Sequence, residues 1–346
     1  MPRGLAFHLA AATALVIVFA SLYPFSDWRD PGIAVLSFIL KPLPRHILWG
    51  DFLINFTAYI PLGFFISTAA APKFRHPGAF LFSSALCCLL SLGMESAQMY
   101  LPSRVASNVD WLANSAGGMI GALASMRDMP LLRNRLLRLR NAWFLQGSPG
   151  DAGIALLALW LFTQANPSLP LMGSWVLDEG QLLQRLFTPP RFSFAEASSI
   201  ALSLFSFGLV ISLMLKAGRE KLPAVVTALF LAIAIKSASA VFLLKPDVFF
   251  AWANREAMAG TATGLAAIFF CMDLSPKTRV IIASLAILAQ IGFTHFTPDI
   301  ASPAAELFLF DWKYGQLHTL NGATSFLAEL WPFLALAYLG FIYRKV

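Results

Sequence analysis

The sequence predicts an all-α membrane protein, a polytopic bundle of about ten transmembrane helices. Of its 346 residues, 58% are hydrophobic and 12% are charged, whereas a soluble domain carries about a quarter charged residues. The apolar residues also fall in repeated runs of about 20, the length that a helix needs to cross the hydrocarbon core of a bilayer. Period-two alternation is absent, which argues against a β-barrel.

Ten apolar runs are candidate spans. They lie at residues 5–25, 54–71, 78–99, 109–126, 151–167, 199–215, 223–244, 257–273, 280–297 and 325–343. The first run follows Arg3 as the apolar part of a signal peptide would. It continues through Tyr23 and Pro24 without a small-residue cleavage site, so we interpret it as a retained span.

Basic residues indicate the orientation of the spans. Most of the 25 Lys and Arg residues fall at the termini and in the connections after spans two, four, six and eight. Cytoplasmic loops collect such residues, so both termini are predicted to be cytoplasmic. The net charge of +7 has the same cause. It comes with no nucleic-acid-binding motif, and we expect membrane lipids as partners.

The longer outside loops, at about 26–50, 168–198 and 299–324, mix apolar and polar residues. Within the second of them, Leu182, Leu183, Leu186 and Phe187 with Glu179 and Arg185 have the pattern of a short amphipathic helix at the membrane surface.

The basic run at 127–140 divides the chain. We predict a four-span domain at 1–126, a basic cytoplasmic linker at 127–150 and a six-span domain at 151–346. The charge of the linker suits contact with anionic headgroups. Cys87, Cys88 and Cys271 lie in apolar runs without metal-ligand spacing, so we predict packing roles for them, no metal site and no cofactor.

Spans two to four carry polar side chains three or four residues apart, so that each set shares one helix face. They are Asp51, Asn55 and Tyr59 in span two, Glu95 and Gln98 at the outer end of span three, Arg104 in the next loop, and Asp110 and Asn114 at the start of span four. An ionisable group costs about 2.5–3.5 kcal/mol at the centre of an inserted helix, so this clustering is informative. The predicted orientation places these groups near the outer leaflet.

The same spans carry small residues for close helix packing, Gly63, Gly117 and Gly121. We expect Arg104 to pair with a carboxylate or with a ligand, since unpaired charge in a dry cluster is costly. The alternative is purely structural: Asn and Gln often join helices by hydrogen bonds.

Two motifs in these spans resemble those of the VanZ-like membrane protein family. The first is Asp51-Phe-Leu-Ile-Asn55-Phe-Thr-Ala-Tyr59-Ile-Pro61-Leu-Gly63-Phe64, and the second is the order E-x-x-Q, R and D-x-x-x-N-x-x-G-x-x-x-G from Glu95 to Gly121. The resemblance covers about residues 1–126. The family is named for an accessory protein of glycopeptide-antibiotic resistance. The resemblance therefore implies a location in the bacterial cytoplasmic (inner) membrane, an antibiotic resistance-related role in the cell envelope and no defined chemistry.

The second half contains a faint echo of the first. Leu62-Gly-Phe-Phe-Ile-Ser67 resembles Phe207-Gly-Leu-Val-Ile-Ser212, and Glu95 stands 141 positions before Lys236. Residues 151–346 are therefore either a degenerate repeat, in which Lys236 replaces Glu95, or an unrelated extension.

Three functions fit these observations. The first is a non-enzymatic envelope factor that binds a lipid or a glycopeptide-like ligand at the outer face. The second is a membrane enzyme for a lipid-linked substrate, with Glu95 or Asp110 as general acid or base and Arg104 on a phosphate; Asp51 and Asp110 are alternatively ligands of a divalent cation. The third is a transporter, which the span count and possible repeat would suit.

Overall fold

The computed structural model describes residues 2–23, 25–43, 49–127, 130–166, 169, 171–172, 192–244, 246, 249–250, 252–296 and 316–345. Over these residues the chain forms eleven α-helices, one 3-10 helix and no β-strand, which confirms the all-α prediction. The chain divides into two compact units, Met1–Asn141 and Ala142–Val346, and each is described by itself.

The first unit is a bundle built around its second helix. Its elements are α1 (Arg3–Leu22), a 3-10 helix (Ser37–Leu40), α2 (Trp49–Ala70), α3 (His76–Gln98), α4 (Asn108–Met126) and most of α5 (Pro130–Trp143). Helix α2 packs against α1, α3 and most extensively α4, and α3 also packs on α4. The basic segment predicted as a linker is thus largely helical.

Glycines bring α2 and α4 into backbone contact. A Cβ atom on Gly117 would overlap the carbonyl oxygen of Phe56, and one on Gly121 would overlap that of Ile60. On α2, a Cβ atom on Gly63 would likewise overlap the carbonyl oxygen of Gly118 in α4. Small residues spaced by four let two helices approach in this way without a cost in side-chain overlap.

The described residues of the second unit form six helices. They are α6 (Ser148–Thr163), α7 (Phe194–Met214), α8 (Lys221–Leu243), α9 (Arg255–Cys271), α10 (Pro276–Phe296) and α11 (Gln316–Tyr343). Helix α7 lies in the middle and packs on α9 and α10, while α6 packs on α11. Phe207 stacks on Trp160 with 3.7 Å between ring centroids. Trp331 donates a hydrogen bond of 3.1 Å to the carbonyl of Leu156.

Each of the ten predicted spans overlaps one of these helices. Six of them are long and apolar enough to cross a membrane: α1, α2, α3, α7, α8 and α11. The count of ten spans and the cytoplasmic termini stay predictions. Helices α2 and α11 begin before the predicted spans do, so the predicted loops 26–50 and 299–324 are shorter than expected. The predicted amphipathic helix at 179–187 lies outside the described residues.

The two units share a regular helix spacing. Helices α1, α2 and α3 begin at residues 3, 49 and 76, and α6, α7 and α8 begin at 148, 194 and 221, each 145 residues later; α9 begins 147 residues after α4. The close approach of Gly117 to the carbonyl of Phe56 has a counterpart in Gly264 and the carbonyl of Ala201. In this register Lys236 corresponds to Ser91, not to Glu95 as the sequence echo indicated.

Candidate functional site

Four helix ends meet at one end of the first unit. The antiparallel order of the bundle brings together the start of α2, the end of α3 and the start of α4, and side chains from the α3–α4 segment reach the end of α1. All eight polar residues singled out in the sequence lie on these elements. We refer to Asp51, Asn55, Tyr59, Ser91, Glu95, Asp110 and Asn114 as the polar cluster.

Glu95 is buried at the end of α3, with 3% of its surface exposed. Its Oε2 atom accepts a 2.8 Å hydrogen bond from the backbone N–H of Ser107. Ser107 is the N-cap of α4, and its hydroxyl accepts from the N–H of Asp110 at 3.3 Å. In a capping box the acidic residue at the third helical position would receive the N–H of the cap residue; here Glu95 receives it instead.

Because Glu95 takes that hydrogen bond, the Asp110 carboxylate faces α2. The side chain of Asn55 is its hydrogen-bonding partner across the interface, and Asp51 lies close enough to repel it. Glu95 also interacts electrostatically with Asp110. Asp51, Asn55 and Asp110 are half-buried, so they form the accessible outer part of the cluster, with Glu95 beneath them.

The inner part of the cluster is a group of buried polar side chains around Ser91. The Asn114 side-chain amide donates to the Ser91 hydroxyl at 3.0 Å, and the Tyr59 hydroxyl lies beside Ser91 and near Glu95. Tyr59 is 2% and Asn114 5% exposed. Yet among the described residues neither the Tyr59 hydroxyl nor Asn114 Oδ1 has a hydrogen-bond partner of regular geometry. A buried polar atom without a partner costs about 1–3 kcal/mol, so these two atoms mark where a ligand would be favoured.

Ser91 was not predicted as a site residue. It lies one helical turn before Glu95 on the same face of α3, and this spacing is the signal that would have found it.

Arg104 and Gln98 bind the end of α1. Three donated hydrogen bonds connect them to backbone carbonyls: Arg104 Nε to Tyr23 at 3.0 Å, Arg104 Nη2 to Ala20 at 3.2 Å, and Gln98 Nε2 to Ser21 at 3.0 Å. The last carbonyls of a helix have no partner within it, and a cation there also interacts favourably with the helix dipole.

This position defines the role of Arg104. Burial lowers the pKa of its guanidinium, and Tyr23 and Glu95 nearby oppose that effect. The group stays charged because an arginine side chain is not deprotonated in proteins. We expected Arg104 to pair with a carboxylate or a ligand. The structure shows it donating to carbonyls at the end of α1, with Glu95 in electrostatic range, and the expected pairing stays a prediction.

Over the part of the chain that the structure describes, no three His, Cys, Asp or Glu side chains converge as metal ligands. Asp51 and Asp110 thus gain no further ligand of these types, and the interpretation as a cation site has no added support.

The fold is that of a helical membrane protein with a polar cluster at one end of a bundle. A family model described as VanZ/LLP1 matches residues 6–132. The resemblance found in the motifs is therefore confirmed for this segment, which includes every residue of the polar cluster. No curated protein and no solved structure matches the chain.

Proposed function

We propose that this chain is a VanZ-type cell-envelope factor that binds a lipid or a glycopeptide-like ligand in the polar cluster, at the outer face of the bacterial cytoplasmic membrane. The observation that carries the proposal is Asn114 Oδ1, a buried acceptor that has no donor among the described residues, in the cluster that also contains the buried Glu95. A structural hydrogen-bond network would satisfy such an atom, because buried polar groups are almost always paired.

The distribution of charge supports the outer location. Lys73 and Arg75 follow α2, and Arg127 follows α4, so basic residues flank the end of the first unit opposite to the polar cluster. Basic residues mark the cytoplasmic side, which leaves the cluster on the outside.

A second candidate is a membrane enzyme that acts on a lipid-linked substrate. The proximity of Glu95 and Asp110 favours it, because a buried and a half-exposed carboxyl group side by side suit general acid and base roles. Arg104 is occupied at the end of α1, so the phosphate contact expected of it has less support. Nothing among the described residues specifically favours the transporter.

A deletion strain tests the proposal. We expect its profile of sensitivity to antibiotics and envelope stress to change and the wild-type gene to restore it. An unchanged profile would contradict an envelope role.

Variants then separate the two candidates. For a binding protein, Asn114→Leu and Glu95→Gln both fail to restore the profile, and to the same extent, because each removes a ligand contact. For an enzyme, Glu95→Gln and Asp110→Asn abolish function while Asn114→Leu keeps part of it. Glu196→Gln, which changes a buried carboxylate of the second unit, is the matched control, and membrane abundance of each variant is measured by immunoblot.

A further inference from the structure

Helix α5 is too short and too basic to span a membrane. Its 14 residues, Pro130–Trp143, extend about 21 Å at 1.5 Å per residue, whereas the hydrocarbon core of a bilayer is about 30 Å thick. Its sequence contains four arginines and no acidic residue. Such a helix either projects into water or lies along the membrane surface, and the distribution of its side chains distinguishes the two arrangements.

The apolar side chains of α5 share one face, the leucine stripe. Leu136, Leu139 and Trp143 follow one another at intervals of three and four residues, which places them on the same side of the helix. Leu136 is 57% and Leu139 55% exposed. Arg135 and Arg138 are also exposed, next to this stripe. An exposed apolar stripe flanked by arginines is typical of helices that lie between the lipid headgroups and the acyl chains.

The end of α5 is fixed where helix α7 ends. Trp143 packs on the core of the second unit, and its carbonyl accepts a 2.9 Å hydrogen bond from the N–H of Lys216. Arg219 donates to the carbonyl of Ala142 at 2.7 Å and lies over the Trp143 ring, 5.3 Å from its centroid. Helix α7 is long and apolar enough to cross a membrane and ends at Met214. These contacts therefore place the end of α5 at the boundary of that span, among basic residues.

We propose that α5 lies in the cytoplasmic surface of the membrane, with its leucine stripe against the acyl chains and its arginines on the phosphates of anionic phospholipids. Basic residues next to a span are attracted to anionic headgroups, and a guanidinium donates two parallel hydrogen bonds to phosphate oxygens. The stripe favours a lipid surface over a nucleic acid, which would bind the arginines and leave the leucines in water. This inference does not depend on the ligand of the polar cluster.

Depth-dependent quenching tests the location of α5 in the full-length protein. In a variant without Cys87, Cys88 and Cys271, a nitrobenzoxadiazole fluorophore is attached at Leu139→Cys in the stripe or at Asn134→Cys, exposed on the other side of α5. The nanodiscs contain equal parts of phosphatidylglycerol and phosphatidylcholine, the latter with a nitroxide near the top of its acyl chains. We expect at least about twofold stronger quenching at position 139, because the two sides of a helix are about 10 Å apart.

Charge reversal tests the preference for anionic lipid. Arg135→Glu with Arg138→Glu reverses two charges beside the stripe, and Arg29→Glu with Lys41→Glu makes the same change on exposed residues between α1 and α2. We expect the α5 pair to lower the quenching at position 139 to the weaker value found in phosphatidylcholine alone, and the control pair to leave it unchanged. Replacing the same two arginines of α5 by lysine keeps the charge and the quenching, which separates loss of charge from misfolding.

Three results would overturn the proposal. Quenching at position 139 that is no stronger than at position 134 would place the stripe outside the bilayer, as docking on a soluble protein or a nucleic acid would. Equal quenching with and without phosphatidylglycerol would show that anionic headgroups do not hold the helix. Equal quenching in the α5 charge-reversal pair and its control would show that the arginines of α5 do not bind the lipid.

Discussion

The close packing of α2 and α4 predicts a large effect of a single methyl group. In Gly117→Ala the new Cβ atom overlaps the carbonyl oxygen of Phe56. That oxygen belongs to a helix backbone and cannot rotate away, so the helices have to separate. Overpacking of a close interface costs about 1–3 kcal/mol, and we expect a loss near the upper end because backbone is involved.

A matched variant isolates this effect. Gly93→Ala in α3 places the same methyl group where no atom lies within 4 Å, and alanine is favoured over glycine within a helix by about 0.5–1 kcal/mol. Unfolding of both purified variants in mixed micelles, followed by tryptophan fluorescence during denaturant titration, gives the free energies. Equal stability of the two variants, or a more stable Gly117→Ala, would refute the packing of α2 against α4 described here.

The remaining predictions concern individual hydrogen bonds. Arg104→Gln removes the charged donor at the end of α1 and lowers stability by about 1.5–3 kcal/mol, which is measured as faster hydrogen exchange in α1. The control Arg135→Gln, on the exposed face of α5, changes stability by at most about 0.5 kcal/mol. Equal exchange in α1 of the two variants would contradict the contact of Arg104 with α1. Ser107→Ala removes the N-cap of α4 and costs about 0.5–2 kcal/mol in denaturant titration; no loss would mean that the cap is not formed. Lys236→Met removes the buried ammonium that donates to the carbonyls of Asn166 and Leu169 at 2.8 and 3.0 Å. We expect the thermal midpoint of the second unit to fall, and an unchanged midpoint would contradict these bonds.

Much of the first unit could be predicted from sequence because its signals are local. The spacing of Asp51, Asn55 and Tyr59 defines one helix face whatever the helix packs on. The apolar runs likewise indicate helices, and each predicted span overlaps one. Most of their bounds shift by five residues or fewer, because caps and polar ends decide them, and α11 begins nine residues before the predicted span.

The contacts of Arg104 could not be predicted in this way. They depend on where the end of α1 lies, and a contact across about 80 residues of sequence leaves no periodic signal. The hydrogen bond from the Ser107 N–H to Glu95 could not be predicted for the same reason. The local sequence favours a capping box, in which Asp110 would accept from that N–H. Glu95 reaches it because α3 packs on α4. The helix α5 was not predicted from the sequence, because its many arginines interrupt the apolar run that indicates the other helices.

The possible repeat shows that similar residue types in two segments do not establish structurally equivalent positions. The match between short Ala- and Ser-rich segments aligned Glu95 with Lys236. The register of the helix starts aligns Ser91 with Lys236. We predict that an experimental structure of the chain superposes α1–α3 on α6–α8 in the 145-residue register. Superposition in a different register would contradict the repeat.

The location of the polar cluster at the outer face is tested most directly by cysteine labelling in intact cells. In a variant without Cys87, Cys88 and Cys271, a cysteine is placed at Val105, which is 81% exposed between α3 and α4, or at Lys73, which is exposed after α2. We expect a membrane-impermeant maleimide to label the Val105→Cys protein in intact cells and the Lys73→Cys protein after lysis alone. The reverse pattern would place the cluster on the cytoplasmic side and contradict an envelope ligand.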